Sequence, residues 1–324
     1  MNITYLPISC VVIGINSERT IAVCLESIKK STYSNIVEII YVDGGSKDQS
    51  VTIAKGINGI KVIELNLHTP TPGKERNVGW QVARGEWIHF FDSDIVIDKN
   101  WFLEAVRYVE ERTGAIFGWL KEAYPRKNFF HFVINLDWTN PGNKGNLFGG
   151  NVLVRRSVLE EIGGYNEDLI AGEDLELSAR IHYYGWYTVG VNMIMCYHDI
   201  NMRGLMQYFK RAFRAGYGFA EAGTKMLKIG EKVWFLKTIC ISIKVMFILF
   251  LLGVTVLTEF KISGLLALVM IFFPLIKIPY FRKKFKINFK DALIYAIHSS
   301  IVLYPQFCAI VVFFLKQLKK VYVA

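Results

Sequence analysis

Up to about residue 110 the sequence alternates short apolar runs with amphipathic stretches, and this rhythm leaves few folds open. Residues 8–13, 37–42, 60–65 and 87–91 are rich in Val, Ile and aromatics and read as strands. Between them, residues 18–30, 48–55 and 75–84 carry apolar side chains at helical spacing. Such alternation means βαβ units and a mostly parallel sheet flanked by helices, an α/β fold. A sheet of this kind binds ligands beyond the carboxyl ends of its strands. The polar residues just past those ends are therefore the candidates for chemistry: Asn16, Asp43, and Asp92 with Asp94.

The remainder is less regular. Residues 113–151 mix Gly, Pro, Asn and aromatics and read as a loop-rich substrate region ending in a strand at 150–155. A helix is expected at 173–184 and a strand at 186–191. In 202–217, Arg203, Lys210, Arg211 and Arg214 stand beside Leu205, Met206, Tyr208, Phe209 and Phe213. A basic, aromatic helix like this lies in a membrane interface, although a solvated surface helix has the same composition.

Hydrophobic residues make up 52% of the chain, and their excess is concentrated after residue 237. Residues 292–315 hold no formal charge and are long enough to span a bilayer. Segments 238–257 and 262–280 each contain one lysine, Lys244 and Lys277, which fall on the same side of a helical hairpin and can snorkel to one interface. The connector 281–291 holds five basic residues against one acidic, which marks it cytoplasmic. Three crossings put Lys316, Lys319 and Lys320 outside, so either the short tail is tolerated there or one segment is interfacial. The expected organisation is a catalytic domain at 1–200, a basic interface helix region at 201–237, and a membrane region of two to three helices at 238–324.

Lys+Arg number 38 against 28 Asp+Glu, a formal net charge of +10 that favours an anionic partner. The basic residues cluster beside apolar segments and form no stacked aromatic groove, so no nucleic-acid partner is expected. Five scattered cysteines without a C-x-x-C pair argue against structural zinc and disulfides and for a reducing compartment. The N-terminal stretch lacks a basic n-region and reads as a buried strand, not a signal peptide. The catalytic domain is expected in the cytoplasm of a multi-pass cell-membrane protein.

The run Trp87-Ile-His-Phe-Phe-Asp-Ser-Asp94 ends a strand in two acids one residue apart. Both carboxylates then sit at the ligand edge of the sheet and can share a hard cation, magnesium or manganese, with phosphate oxygens completing its shell. A metal bridging a diphosphate neutralises the charge that grows on a departing nucleotide. The other reading is a turn with solvated or capping acids. Upstream, Tyr41-Val-Asp-Gly-Gly-Ser-Lys-Asp48 places an acid, two glycines and a hydroxyl after strand two. Asp43 there is suited to a nucleobase edge, Gly44 and Gly45 to a close approach of backbone, and Ser46 to a helix N-cap. Lys74 and Arg76, at the start of the next helix, are placed to meet a diphosphate.

Taken together and in this order, the segments 11–25, 41–50, 73–94 and 148–186 resemble glycosyltransferase family 2, inverting enzymes with the GT-A fold. The resemblance covers roughly the first 215 residues. It implies a Rossmann-like mixed sheet flanked by helices that binds a nucleotide sugar, with transmembrane helices following it here. It implies that Asn16, Glu18 and Asp43 line the nucleoside pocket, and that Asp92, Ser93 and Asp94 form the DXD motif with Asp94 the more direct metal ligand. Gly149-Gly150-Asn151 is similar to the acceptor-side segment. Glu173-Asp174 is similar to the acidic pair whose second member is the general base. That role has a physical basis: the acceptor hydroxyl must lose its proton as it attacks, and the helix dipole at 173–184 favours an ionised carboxylate in the first turn. His198 is a further candidate metal or phosphate ligand. Two features depart from the family: Ile13 and Ile15 replace the usual proline and aromatic, and Gln207-Tyr-Phe-Lys210-Arg211-Ala-Phe213 does not match the Q-x-x-R-W pattern of processive polymerases.

The chain is thus expected to transfer one sugar onto a lipid-linked acceptor at the cytoplasmic membrane face, with Lys210, Arg211 and Arg214 holding the acceptor's pyrophosphate. A synthase acting on bare polyprenyl phosphate, and a non-catalytic scaffold of the same fold, are the alternatives.

Overall fold

A computed structural model describes residues 5–66, 69–138, 147–258 and 261–323, which divide into two compact units. In chain order the first part contains β1 (Ile8–Gly14), α1 (Ile21–Lys29), β2 (Ile36–Asp43), α2 (Ser50–Lys55), β3 (Ile60–Glu64), α3 (Pro72–Val82), β4 (Trp87–Asp92), β5 (Ile95–Ile97), α4 (Trp101–Ala105) and β6 (Thr113–Glu122). Helix α5 (Phe129–Trp138) belongs to the second unit, and the first resumes with β7 (Val152–Arg155), α6 (Arg156–Ile162), α7 (Glu173–Tyr183) and β8 (Tyr187–His198).

Among the described residues, eight strands form one mixed sheet in the order β3-β2-β1-β4-β7-β6-β8-β5. Strands β3, β2, β1 and β4 run parallel, whereas β7 is antiparallel to both β4 and β6. Central strands need apolar side chains on both faces, which explains the unbroken runs in β1 and β4. Val11, Ile40, Val42 and Phe90 pack on one side of the sheet, and Val12, Tyr41, Phe91 and Trp87 on the other. The chain reverses its order across the sheet at β1 and β4, and the crevice at their carboxyl ends is the topological switch point. A mixed sheet flanked by helices is what the resemblance implies.

A paired imidazole is built into the core. His89 is fully buried: its Nε2 accepts from Trp101 Nε1 at 2.9 Å and its Nδ1 lies 2.9 Å from the Phe90 carbonyl. The pair of contacts identifies a neutral ring that donates from Nδ1, and burial lowers its pKa to about 3.

The region 113–151 departs from expectation. It contains the ten-residue strand β6 and the helix α5 in place of a loop, and β8 is twelve residues long, reaching to His198. Strand β6 carries Gly118 where a side chain would strike Trp101 and the Met193 carbonyl, so a tertiary contact set its composition.

The second unit comprises α5 with α8 (Leu205–Met226), α9 (Val233–Thr258), α10 (Lys261–Ile276), α11 (Ile278–Phe285), α12 (Phe289–Ile301) and α13 (Leu303–Val323). Among the described residues, two helical stretches are long and apolar enough to cross a membrane, Val233–Leu257 at a mean hydropathy of 2.6 and Phe289–Lys319 at 1.8. The expected segment 262–280 is interrupted: Pro274 lies in the last turn of α10, which gives way to α11 at Ile278. Helices α8 and α13 approach backbone to backbone, since a Cβ on Gly216 would lie 2.4 Å from the Gln306 carbonyl oxygen. A polar chain crosses this unit. Tyr208 Oη stands 2.7 Å from His298 Nδ1, His298 Nε2 3.3 Å from Asp137, and Tyr295 donates to Asp137 at 2.6 Å. Arg126 grips Asp291 through two hydrogen bonds of 2.9 and 2.8 Å.

Candidate active site

Strand β4 delivers Asp92 at its last position, a turn carries Ser93 and Asp94, and β5 begins at Ile95. Alternation along the chain sends Ser93 to the opposite side from its neighbours. Ser93 is buried, its N–H donates to the Ile13 carbonyl at 3.0 Å, and its hydroxyl meets Ser17 Oγ at 2.6 Å. The triplet is thereby clamped to the end of β1.

The two acids face different partners. Asp94 Oδ2 lies 2.8 Å from His198 Nε2, at the end of the antiparallel β5–β8 ladder. Asp92 Oδ1 meets Arg76 Nη2 at 3.0 Å, and Asn151 Nδ2 donates to Asp92 Oδ2 at 3.4 Å while its own Oδ1 accepts from the Asp92 N–H at 3.2 Å. Gly150 closes this corner: a Cβ there would stand 2.5 Å from Arg76 Nη2 and 2.8 Å from Asp92 Oδ2. Gly149 has open space around it.

Arg76 is placed differently from expectation. Its side chain is 2% exposed, and its guanidinium binds Glu173 Oε1 at 2.8 Å and Asp174 Oδ1 at 3.3 Å as well as Asp92. Burial opposes its charge, but Asp174, Tyr165, Asp92 and Glu173 outweigh that and hold its pKa well above the usual arginine value. The Tyr165 ring lies beneath it at 5.2 Å. A guanidinium engaged by three carboxylates is not free to grip a diphosphate. Arg76 instead fixes the acids of β4 and α7 relative to one another, a task suited to its planar, multidentate fork. Helix α7 starts after Gly172 (φ +83°), so Glu173 and Asp174 occupy its first turn. Lys74 also turns aside, its Nζ donating to the Thr69 carbonyl at 3.2 Å.

The expected nucleoside residues form a second cluster. Asn16, with φ +54°, accepts from the Lys47 N–H at 2.9 Å, and its own N–H donates to Ser46 Oγ at 2.7 Å. Glu18 accepts from the Gln49 N–H at 3.1 Å. These bonds stitch the β1–α1 loop to the β2–α2 loop. Asp43 is 2% exposed and serves its own turn: Oδ1 accepts from Tyr41 Oη and Ser46 Oγ, and Oδ2 from the N–H groups of Gly45 and Ser46. A carboxylate offers about four acceptor positions, and all are taken here. The nucleobase contact expected of Asp43 is therefore not available in this structure.

Sequence reasoning passed over Glu75. It is 5% exposed, lies beside Gly44, and makes no side-chain hydrogen bond or ion pair among the described residues. Burial, reinforced by Asp43, Asp92 and Glu173 against the opposing Arg76, pushes its pKa up to about 7. Lys210, Arg211 and Arg214 are exposed on α8, in the second unit, where the Arg211 guanidinium stacks over Trp138 at 5.3 Å.

A sheet edge that gathers carboxylates, an imidazole and glycine-lined backbone suits transfer chemistry on a phosphorylated donor. Comparison with known proteins agrees. The family model "Glycosyl transferase family 2" matches residues 9–163, and "Glycosyl transferase family group 2" matches residues 87–304. The chain belongs to glycosyltransferase family 2. It is 28% identical over 252 residues to EpsH of Bacillus subtilis (strain 168), covering 70% of each chain. It is 29% identical over 197 residues to the beta-monoglucosyldiacylglycerol synthase of Nostoc sp. (strain PCC 7120 / SAG 25.82 / UTEX 2576), covering 55% of this chain and 42% of that protein. Its fold matches that of the mannosyltransferase PcManGT from Pyrobaculum calidifontis, solved with GDP-Man and Mn2+, at a TM-score of 0.68 and 16% identity over 95% of this chain and 88% of that one. The chain is thus a glycosyltransferase with the GT-A nucleotide-sugar fold.

Proposed function

We propose that the chain is a metal-dependent, inverting, membrane-anchored enzyme that moves a sugar from a nucleotide-sugar donor to a lipid-linked acceptor at the cytoplasmic face. The observation that carries this reading is the pairing of two carboxylate sites at one sheet edge, Asp94 with His198 and Asp92 with Arg76, Glu173 and Asp174.

The donor set fits a divalent ion. Asp94 Oδ1 is buried and has no hydrogen-bond partner among the described residues, while Oδ2 faces an imidazole. An unsatisfied buried carboxylate oxygen is costly unless a cation or donor completes it. Asp94 and His198, with Asp92 behind them, would hold magnesium or manganese. When bound, the ion supplies positive charge against the diphosphate leaving group.

The protein's own residues account for the rest. Asp174 takes the proton of the acceptor hydroxyl on a carboxylate oxygen as that hydroxyl attacks the anomeric carbon. Arg76 keeps Asp174 in register with Asp92. The 16–18 and 44–49 loops form the nucleoside wall, and Gly149 to Asn151 the acceptor side. The apolar stretches Val233–Leu257 and Phe289–Lys319, and the exposed cations Lys210, Arg211 and Arg214 of α8, support a lipid-borne phosphorylated acceptor. The glycolipid in the Nostoc relative's name supports the lipid part of this reading.

The test is a panel of UDP-, GDP- and dTDP-sugars, with and without manganese, offered either a lipid-linked saccharide or bare polyprenyl phosphate. Manganese-dependent transfer to the lipid-linked saccharide with inverted anomeric configuration is expected. Transfer to bare polyprenyl phosphate alone would make the chain a synthase of that lipid, and retention of configuration would sink the single-displacement mechanism.

A further inference from the structure

We propose that Glu75, not Asp43, reads the nucleobase of the donor, recognising a base that presents a ring N–H. This rests on the reading of the crevice as a nucleotide-sugar site. Three observations support it. First, Asp43 has no acceptor position left: four donors from Tyr41, Gly45 and Ser46 fill its carboxylate. Second, Glu75 takes over the space that a side chain at position 44 would use. A Cβ built on Gly44 would stand 2.4 Å from Glu75 Oε1 and 2.9 Å from Cδ, so the carboxyl lies on the bare backbone of the β2–α2 turn. Third, Glu75 is 5% exposed and its carboxyl makes no hydrogen bond among the described residues, although it faces Asp43 on β2, Asp92 on β4, Glu173 on α7 and its helical neighbour Arg76. A buried acid amid three others, with its neighbouring arginine already engaged by Asp92, Glu173 and Asp174, is an expensive residue to keep for packing alone.

The chemistry defines the ligand. An accepting oxygen at this point pairs with the ring N–H of uracil, thymine or guanine, and meets a lone pair at the corresponding nitrogen of cytosine or adenine. Gly44 is part of the device, because any side chain there would displace the carboxyl.

Calorimetric titration of the full-length enzyme with UDP, dTDP, GDP, CDP and ADP, and with inorganic pyrophosphate, all with manganese, tests this. The wild type should prefer UDP, dTDP or GDP. Glu75→Ala should weaken its preferred nucleotide roughly tenfold and leave pyrophosphate binding unchanged. Gly44→Ala should mimic that loss, Glu75→Gln should stay close to wild type, and Gly44→Asp combined with Glu75→Ala should recover selectivity. The assignment is overturned if a natively melting Glu75→Ala enzyme binds its nucleotide like wild type, or loses pyrophosphate in equal measure, or if the wild type prefers CDP or ADP. A wild type that binds pyrophosphate but no nucleoside diphosphate would instead overturn the donor reading on which the assignment stands.

Discussion

Asp94 Oδ2 and His198 Nε2 stand 2.8 Å apart although 104 residues separate them, and the register of β5 on β8 sets that distance by pairing Ile95 with His198. A three-residue strand would be marginal alone, so its purpose is legible in what it aligns. Replacing His198 with Ala should leave the fold intact and weaken manganese binding about 10- to 100-fold, read as a rightward shift in the metal dependence of turnover. Asp94→Asn should abolish that dependence. Unchanged metal titrations in both variants would remove these residues from the metal site.

Arg76 is the hub of the acid cluster, and its loss leaves charges unbalanced in a buried place. Arg76→Met is expected to cost about 3–5 kcal/mol of stability, read by thermal unfolding. Arg76→Lys restores charge without the fork, so it should recover most of the stability but little of kcat.

Glu75 should imprint its own pH dependence on stability. Its pKa rises from 4.5 in the free chain to about 7 in the fold, so the folded state binds the extra proton. Its stability contribution is therefore full below pH 4.5 and is lost as pH climbs through 7, by up to about 3 kcal/mol. The melting temperature of Glu75→Gln should match wild type at pH 4.5 and exceed it at pH 8.

His89 acts in the opposite sense. Its pKa falls from 6.5 to about 3, so the unfolded chain binds the extra proton between those values. Stability from this residue is complete above pH 6.5 and drains away as pH falls toward 3. His89→Phe should flatten that part of the acid limb while lowering stability at pH 7.5 by about 1–3 kcal/mol, because Trp101 Nε1 is left without its acceptor.

In the second unit, Gly216→Ala should reduce stability by about 1–3 kcal/mol, since the new methyl meets the backbone of Gln306 and nothing flexible can yield. Gly253→Ala, which meets open space in α9, should be neutral or stabilising. Melting curves of the detergent-solubilised variants decide between them.

Local patterning made β1 to β4 and their helices readable, because each buries a face whose period the residues repeat. The places of Asp92 at a strand end and of Glu173 and Asp174 at a helix start were readable too, since these are local events. What escaped depends on distant partners. Arg76 read as a cation for a diphosphate because its carboxylates lie 16, 97 and 98 residues away. Asp43 looks the same in sequence whether it faces a base or its own turn; the Ser three residues on was the available sign of the turn. Strand β6 hid behind Gly114 and Gly118, whose close contacts with Trp186 and Trp101 no periodicity reports. The break after α10 was signalled by Pro274, which an apolar average conceals.

The contact between Gly44 and Glu75 ties two positions into one evolutionary unit. Bulk gained at 44 would push the Glu75 carboxyl off its place, so divergence among relatives that keeps the reader should pass through paired exchanges at these sites. A lineage that places an acid at 44 with a small residue at 75 would carry the same reader on the opposite wall, with the same alphabet of bases open to it.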